Sequence, residues 1–534
     1  MKHIFTAALL LVTTALFAQK KATTIGTFEK SKQRSEYYTT LGAHNGNVLI
    51  GEGVSLGGGL KVSTRVFSVH EVDRKTLNTI RERQFDDISM NFTEAKYSYI
   101  NAWKLKNTIG VLVMENATAE VKLLNIDAGT LELSSRIETV YSISQQYEKD
   151  ADELLKLFRK KMYYNTLTAK SLNEKYIHMG IITNGDDVKP VLSSILINES
   201  CKVEHTKQIA FKTDYYLTDK DVHSAVSDNG SVVFTFSIGD YKKIDYIDLK
   251  PGFHMMVMSK EGDIKGWSEL TLANGPGDAK RYSVNLVSAI KDNTLYLMGY
   301  EGERDGYAVG VIDLASIKPA TQVQFVSFSD ELKASWKSVE GSQYQKALQN
   351  VKSNNSNYVE DGLIPNNISI LQNGNLILTG NYTYKETKTT ESGTTTKYVY
   401  KNVQVSCFSP EGKLLFEKLI DTEHANFNPY NHLCFVQTAY EINGKIAIFL
   451  NDDYDGVEGI KLQPGLSNSK TFGTIIFIEQ DGSKWNKIGM NMADDLRKLH
   501  FYSSSVLKIN EQEFFIPAKI FNKNNTQYVK VDLD

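Results

Sequence analysis

Cysteine is almost missing from this 534-residue chain, which holds only Cys201, Cys407 and Cys434. Three is an odd number and too few for a disulfide framework, so the fold must be held by its core. Cys407 lies in Val405-Ser406-Cys407-Phe408 and Cys434 in Leu433-Cys434-Phe435, apolar settings that suit inert buried thiols. With 9 prolines and 36 glycines, the chain is neither collagen-like nor a low-complexity linker. Neither sign of charge dominates: 60 basic and 63 acidic side chains leave a net charge of −3. That balance removes the electrostatic footprint of a nucleic-acid-binding protein. Long hydrophobic runs are also absent, since no stretch after the first segment approaches the roughly 18 apolar residues of a membrane span.

The N-terminal segment has the pattern of an address label. Lys2 precedes the apolar run Ala7-Ala8-Leu9-Leu10-Leu11-Val12 and Ala15-Leu16-Phe17, and the small Ala18 is followed by Gln19-Lys20-Lys21. It reads as a secretory signal peptide, residues 1–18, cut after Ala18. No cysteine near the cut offers a lipid anchor. The expected location is therefore periplasmic or secreted, with no integral membrane segment once the signal is removed.

What the chain has in abundance is one repeated rhythm. Polar turns followed by alternating apolar residues recur at Asn45-Gly46-Asn47-Val48-Leu49-Ile50, Lys106-Asn107-Thr108-Ile109, Asn173-Glu174-Lys175-Tyr176 and Asn229-Gly230-Ser231-Val232. They continue at Asp292-Asn293-Thr294-Leu295, Asn373-Gly374-Asn375-Leu376, Asn443-Gly444-Lys445-Ile446 and Asn510-Glu511-Gln512-Glu513. Asn-Gly between strand-like residues predicts a type I′ hairpin turn, which needs positive φ at both central positions. A second kind of turn follows each copy, as at Ser259-Lys260-Glu261-Gly262-Asp263, Ser409-Pro410-Glu411-Gly412-Lys413 and Glu479-Gln480-Asp481-Gly482. The unit is strand, tight turn, strand, longer loop, strand, tight turn, strand.

Four antiparallel strands repeated about eight times resembles the β-propeller repeat proteins, here of a secreted bacterial kind. The resemblance implies an all-β, eight-bladed β-propeller over residues 19–534, with a seven-bladed arrangement as the alternative. The mean spacing of the first turns, about 66 residues, exceeds that of a WD40 blade. Much of the excess falls in two helical insertions, about 145–172 and 329–362. Helical spacing is carried by Ala151, Leu154, Leu155, Phe158 and Met162 in one, and by Leu332, Trp336, Val339, Ala347 and Val351 in the other. The last unit ends one strand short, and the strand-like Ala22–Glu29 is placed to complete it and hide two sheet edges.

Antiparallel geometry puts the tight turns on one face and the longer connections on the other. The second group includes Gly51–Gly59, Ser237–Pro251, Lys385–Lys397 and Asn451–Lys470, and long loops on a rigid scaffold commonly carry function. At the mouth of a central channel on that face the pattern places Tyr97, Tyr99, His223, Arg281, Tyr282, Asn366, His432, His500 and Tyr502. Such side chains suit a sugar or peptide through stacking and directional hydrogen bonds. The competing reading is that tyrosine simply suits strands and some of these rings fill core.

Motifs with sharper chemistry mostly fail. Gly53-Val54-Ser55-Leu56-Gly57 has the G-x-S-x-G spacing but lacks the strand–turn–helix that lifts such a serine. Asn451, Asp453, Asp455 and Glu458 could offer oxygens to calcium, the one cofactor considered, but Leu462 stands where a calcium loop needs its bidentate glutamate. There is no H-E-x-x-H, C-x-x-C or P-loop. Two functions remain: a non-enzymatic binding or scaffold protein for a glycan or an envelope protein, expected to be monomeric, or a secreted enzyme acting on polysaccharide or peptide at the channel mouth.

Overall fold

The computed structural model describes residues 21–26, 34–56, 64–89, 97–115, 117–142, 166–185, 188–210, 222–238, 252–273, 286–301, 305–336, 341–354, 363–390, 393–426, 438–453, 471–489, 499–511, 513–520 and 526–533. It is an all-β structure of antiparallel meanders, each with four strands in chain order. Unit one runs through Arg34–His44, Asn47–Leu56, Thr64–Val72 and Thr79–Ser89, and unit two through Tyr97–Leu105, Thr108–Glu115, Glu120–Asp127 and Leu133–Ser142. Unit three comprises Thr166–Lys170, Tyr176–Gly185, Val188–Asn198 and Val203–Ala210; unit four comprises Val222–Val226, Val232–Ile238, Gly252–Met258 and Ile264–Ala273. Unit five has Leu286–Lys291, Thr294–Glu301, Gly306–Asp313 and Ala320–Ser327, and unit six Leu363–Ile370, Leu376–Thr390, Gly393–Phe408 and Leu414–Asn426. Unit seven has Ala439–Ile442, Lys445–Asp453, Thr471–Glu479 and Trp485–Gly489.

Unit eight draws on both ends of the described chain. Leu499–Phe501 and Leu507–Lys508 pair with Glu513–Ile520, which pairs with Thr526–Leu533, and Lys21–Gly26 lies antiparallel on the far edge of that strand. The register runs from Lys21 opposite Leu533 to Gly26 opposite Tyr528. Short parallel contacts join neighbouring units at Ile88–Tyr97 and along Glu269–Ala273 with Ala320–Gln324.

The Asn-Gly hairpin turns divide into two chemical classes. Asn45-Gly46 (φ 47° and 83°) and Asn443-Gly444 (φ 46° and 73°) have positive φ at both centres, as a type I′ turn requires. Asn229-Gly230 and Asn373-Gly374 depart from that expectation, with positive φ at the glycine alone. There the Asn229 and Asn373 side-chain carbonyls accept from the N–H groups of Ser231 (3.0 Å) and Asn375 (2.9 Å). That local bond holds the asparagine in ordinary backbone space and leaves glycine to make the left-handed step.

The core shows how the units stack. Along Thr108–Glu115, Ile109, Val111 and Val113 pack against unit one while Leu112 and Met114 pack against unit three. In Lys445–Asp453, Ile446, Ile448 and Leu450 face unit six, and Ala447 and Phe449 face unit eight. Side chains alternate across a strand, so a strand apolar at every position is one covered on both faces. Each pair of consecutive units shares one such cluster among the described residues. The succession then returns to its start: Val48, Ile50, Val72 and Leu77 of unit one pack with Tyr502 and Phe515 of unit eight. The same seam holds a two-pronged ion pair from Arg74 to Glu513, and the Thr40 hydroxyl donates to the Ser505 carbonyl at 2.7 Å. Full burial of each such aliphatic or aromatic side chain is worth about 1.5–3 kcal/mol.

Two helices, α1 (Asp330–Ser335) and α2 (Gly341–Asn354), follow unit five where the second insertion was expected. The Ser329 hydroxyl caps α1 by accepting from the Leu332 N–H (3.1 Å), and Glu417 of unit six accepts from the Ser329 N–H (2.6 Å). The Glu417 carboxylate also accepts from the buried Tyr307 hydroxyl, which takes a hydrogen bond from Gln404 (2.7 Å). Helix α1 is thus fastened to the interface of units five and six, and α2 packs on it through Ala347 and Val351 against Ala334. The expected helix at 148–162 and the signal segment 1–18 lie outside the described residues. Of Lys385–Lys397, expected as a loop, Lys385–Thr390 and Gly393–Lys397 extend the central hairpin of unit six, with Lys385 opposite Tyr398 and Thr390 opposite Gly393. Its many threonines, β-branched residues that favour strands, suit an extended pair as well as a turn.

Candidate functional site

The first strands of units three to seven face one common cavity of about 630 Å³. These strands are short, and polar residues break their apolar runs. Examples are Val222-His223-Ser224-Ala225-Val226, Leu286-Val287-Ser288-Ala289-Ile290 and Asn366-Asn367-Ile368-Ser369-Ile370. The apolar members enter the clusters between units: Val222 and Val226 join unit three, and Ala225 and Leu286 join the cluster of units four and five. The interruptions supply the wall with hydroxyls and amides from Ser224, Ser288, Asn366, Asn367 and Thr438, together with the His223 imidazole.

Among the described lining residues there is no carboxylate. Lys170 contributes the one ammonium, and it lies 2.6 Å from Glu174 on the adjoining turn. Burial holds His223 down to about 4, so its imidazole is neutral at physiological pH. The cavity therefore presents neutral donors and acceptors on an apolar frame, a surface matched to hydroxyl or amide groups.

Of the residues expected at the channel mouth, His223 and Asn366 line the cavity. The Asn366 amide donates to the Asn381 side chain of the neighbouring strand, which fixes its orientation. Tyr97, Tyr99 and Tyr502 are 3%, 7% and 4% exposed, and all three belong to packed clusters. Tyr99 stacks on Phe67 with ring centroids 5.2 Å apart. Their place is core, because Tyr97 and Tyr99 face unit one's apolar strands and Tyr502 fills the seam between units one and eight. His500 sits opposite Lys519 in unit eight; Arg281, Tyr282 and His432 lie outside the described residues.

Of the four calcium candidates, Asn451 and Asp453 fall among the described residues. Asn451 is buried and its carboxamide clasps a neighbouring backbone, donating to the Phe501 carbonyl (2.9 Å) and accepting from the Phe501 N–H (2.7 Å). Both polar atoms of that side chain are engaged in holding unit eight on unit seven. Asp453 pairs through its backbone with Thr471, and Asp455 and Glu458 lie outside the described residues. No group of three metal-binding side chains occurs among the described residues. Cys201 and Cys407 are buried, unbridged thiols, pushed up to about 12 by desolvation.

One polar constellation has no linear signature. The Ser224 hydroxyl, on the cavity wall, lies 3.2 Å from His178 Nδ1, and His178 Nε2 lies 3.0 Å from the Ser194 hydroxyl. Ser194 in turn lies 3.1 Å from His205 Nε2, whose Nδ1 meets the Lys260 carbonyl at 2.6 Å. His178 is fully buried, edge-on to Phe234, and desolvation holds it down to about 3. His205 is lowered too, again by burial. A serine beside a histidine suggests nucleophilic catalysis, but a base held so far below neutrality accepts a proton poorly. The sequence offered no signal because these residues come from four strands and one turn in two units.

No family model matches the chain, and no curated protein does either. Among solved structures, it is similar over 84% of its length to a chain from a structural and mechanistic analysis of two prolyl endopeptidases and the role of inter-domain dynamics. The identity is 11% and the TM-score 0.31, and this chain spans 55% of that one.

Proposed function

We propose that residues 19–534 form a single eight-bladed β-propeller, exported to the periplasm or beyond, that binds a neutral hydroxyl-rich ligand, a glycan, in its central channel. The observation that carries this reading is the 630 Å³ cavity walled by the first strands of five successive units. The residues lining it carry side-chain amides and hydroxyls, with no carboxylate among the described lining residues. The circular order of shared clusters supports the radial arrangement, because unit one packs both on unit two and on unit eight. Binding rather than hydrolysis is favoured because burial makes the cavity's histidine a weak base and the described wall offers no acid–base pair.

The test is a panel of neutral oligosaccharides and peptides presented to the full chain, with and without calcium. Retention of an oligosaccharide is expected, and Ser288→Trp, a bulky change at a lining residue, is expected to abolish it in protein whose circular dichroism is unchanged. Retention of peptides alone, or glycan binding unchanged in Ser288→Trp, would contradict the reading.

A further inference from the structure

The five groups running from Ser224 to the Lys260 carbonyl have only one self-consistent order of protons, and that order reaches the cavity. A carbonyl oxygen can only accept, so His205 Nδ1 carries a proton and donates to Lys260. Neutral His205 then has a bare Nε2, which must accept from Ser194. The single Ser194 proton is thereby committed, so its oxygen accepts from His178 Nε2. His178 Nδ1 is left bare and takes the Ser224 proton.

Packing makes each link rigid. His178 has no exposed surface and meets Phe234 edge-on at 5.0 Å. The Lys260 carbonyl belongs to a turn closed by two backbone bonds, Gly262 N–H to Ser259 and Ser259 N–H to Asp263. Gly262 backs directly onto His205, where an added Cβ would sit 3.2 Å from the ring. The chain crosses from the cavity wall to the outer strand of unit three and ends on unit four.

We propose that this chain fixes Ser224 as a hydrogen-bond acceptor toward the cavity, so that the channel selects ligands presenting an O–H or N–H donor at that point. Ser224 is a specificity-determining residue in this account, and His178, Ser194 and His205 are positioning residues that never touch ligand. The inference rests on the binding function above, and it specifies the polarity of the ligand's contact. A serine with its own proton free would accept either polarity. Here the one hydroxyl proton points into the protein and the oxygen lone pairs remain for the ligand.

The direct test needs no ligand. Ring nitrogen correlations on histidine-labelled full-length protein at neutral pH, assigned with His178→Gln and His205→Gln, read the tautomers. The expected result is His178 protonated on Nε2 and His205 on Nδ1, with the His178 preference lost in Ser194→Ala. Both rings protonated on the same nitrogen, or a His178 tautomer indifferent to Ser194→Ala, would overturn the proposal. The second arm uses neutral oligosaccharides and their singly O-methylated forms. One methylation site should abolish binding to the native protein, and Ser224→Ala should weaken the parent glycan by roughly fivefold, the size of one neutral hydrogen bond. Equal binding by every methylated form would overturn the acceptor role. A panel that never binds, with tautomers as expected, would refute the glycan function and leave the proton order standing.

Discussion

Single side chains decide where this molecule is rigid. Asp452 and Lys487 form an ion pair at 2.5 Å with side-chain exposures of 2% and 9%, and Lys487 also donates to the Asp421 carbonyl of unit six at 2.9 Å. A buried pair of this kind gains little over an apolar one, but removing one partner strands a charge in a low-dielectric core. Lys487→Met is expected to cost about 3–5 kcal/mol in urea unfolding. The double variant Asp452→Leu with Lys487→Met should recover most of that loss. A single variant within about 0.5 kcal/mol of the native protein would show that the pair is solvated. At this scale the sequence was a poor guide. Tyr97, Tyr99 and Tyr502 carry the same signature as a ligand-stacking ring, yet they are covered by Phe67, Leu41 and Phe515 and their neighbours. What separates a binding aromatic from a core aromatic is the facing unit, and that is absent from the local pattern. Ser224 and Ser288 are the reverse case: ordinary strand serines by composition, they gain importance because five strands converge on them.

At the scale of elements, strand order and turn positions were legible because period-two alternation and Asn-Gly chemistry are local. The helical stretch at 329–362 was legible for the same reason, from the spacing of Leu332, Trp336, Ala347 and Val351. Which turn type each Asn-Gly adopts was not, since it depends on whether the asparagine side chain bonds its own loop. The seam between units one and eight makes a measurable claim. Arg74 beside Glu513 holds that carboxyl below the ordinary glutamate range. A depressed carboxylate contributes stability that is present above its unfolded value, about 4.3, and is lost as pH falls through the folded value. Native protein should therefore exceed Arg74→Ala in stability at pH 7, by on the order of 1 kcal/mol for a partly exposed pair. The gap should close as pH falls below about 4. A gap independent of pH in urea titrations would mean that Arg74 acts through packing alone.

Among the described residues, consecutive sheets share apolar clusters, and the last shares one with the first. Repetition was readable from the sequence; closure rested on the strand character of Ala22–Glu29 and finds its counterpart in Lys21–Gly26 on Thr526–Leu533. The cavity was readable only in part, through His223 and Asn366, because its wall depends on strands more than 200 residues apart. Closure is the claim on which the channel, its polar wall and the Ser224 contact all depend. It is tested most directly by spin-label distances between equivalent exposed turn positions in a Cys434→Ser background, where the buried Cys201 and Cys407 thiols resist labelling. Labels at Asn45 with Asn107, Asn45 with Asp292, and Asn45 with Glu511 compare unit one with units two, five and eight. A closed circle predicts similar short distances for the first and third pairs and the longest distance for the second. Distances rising steadily from unit two through five to eight would contradict the account.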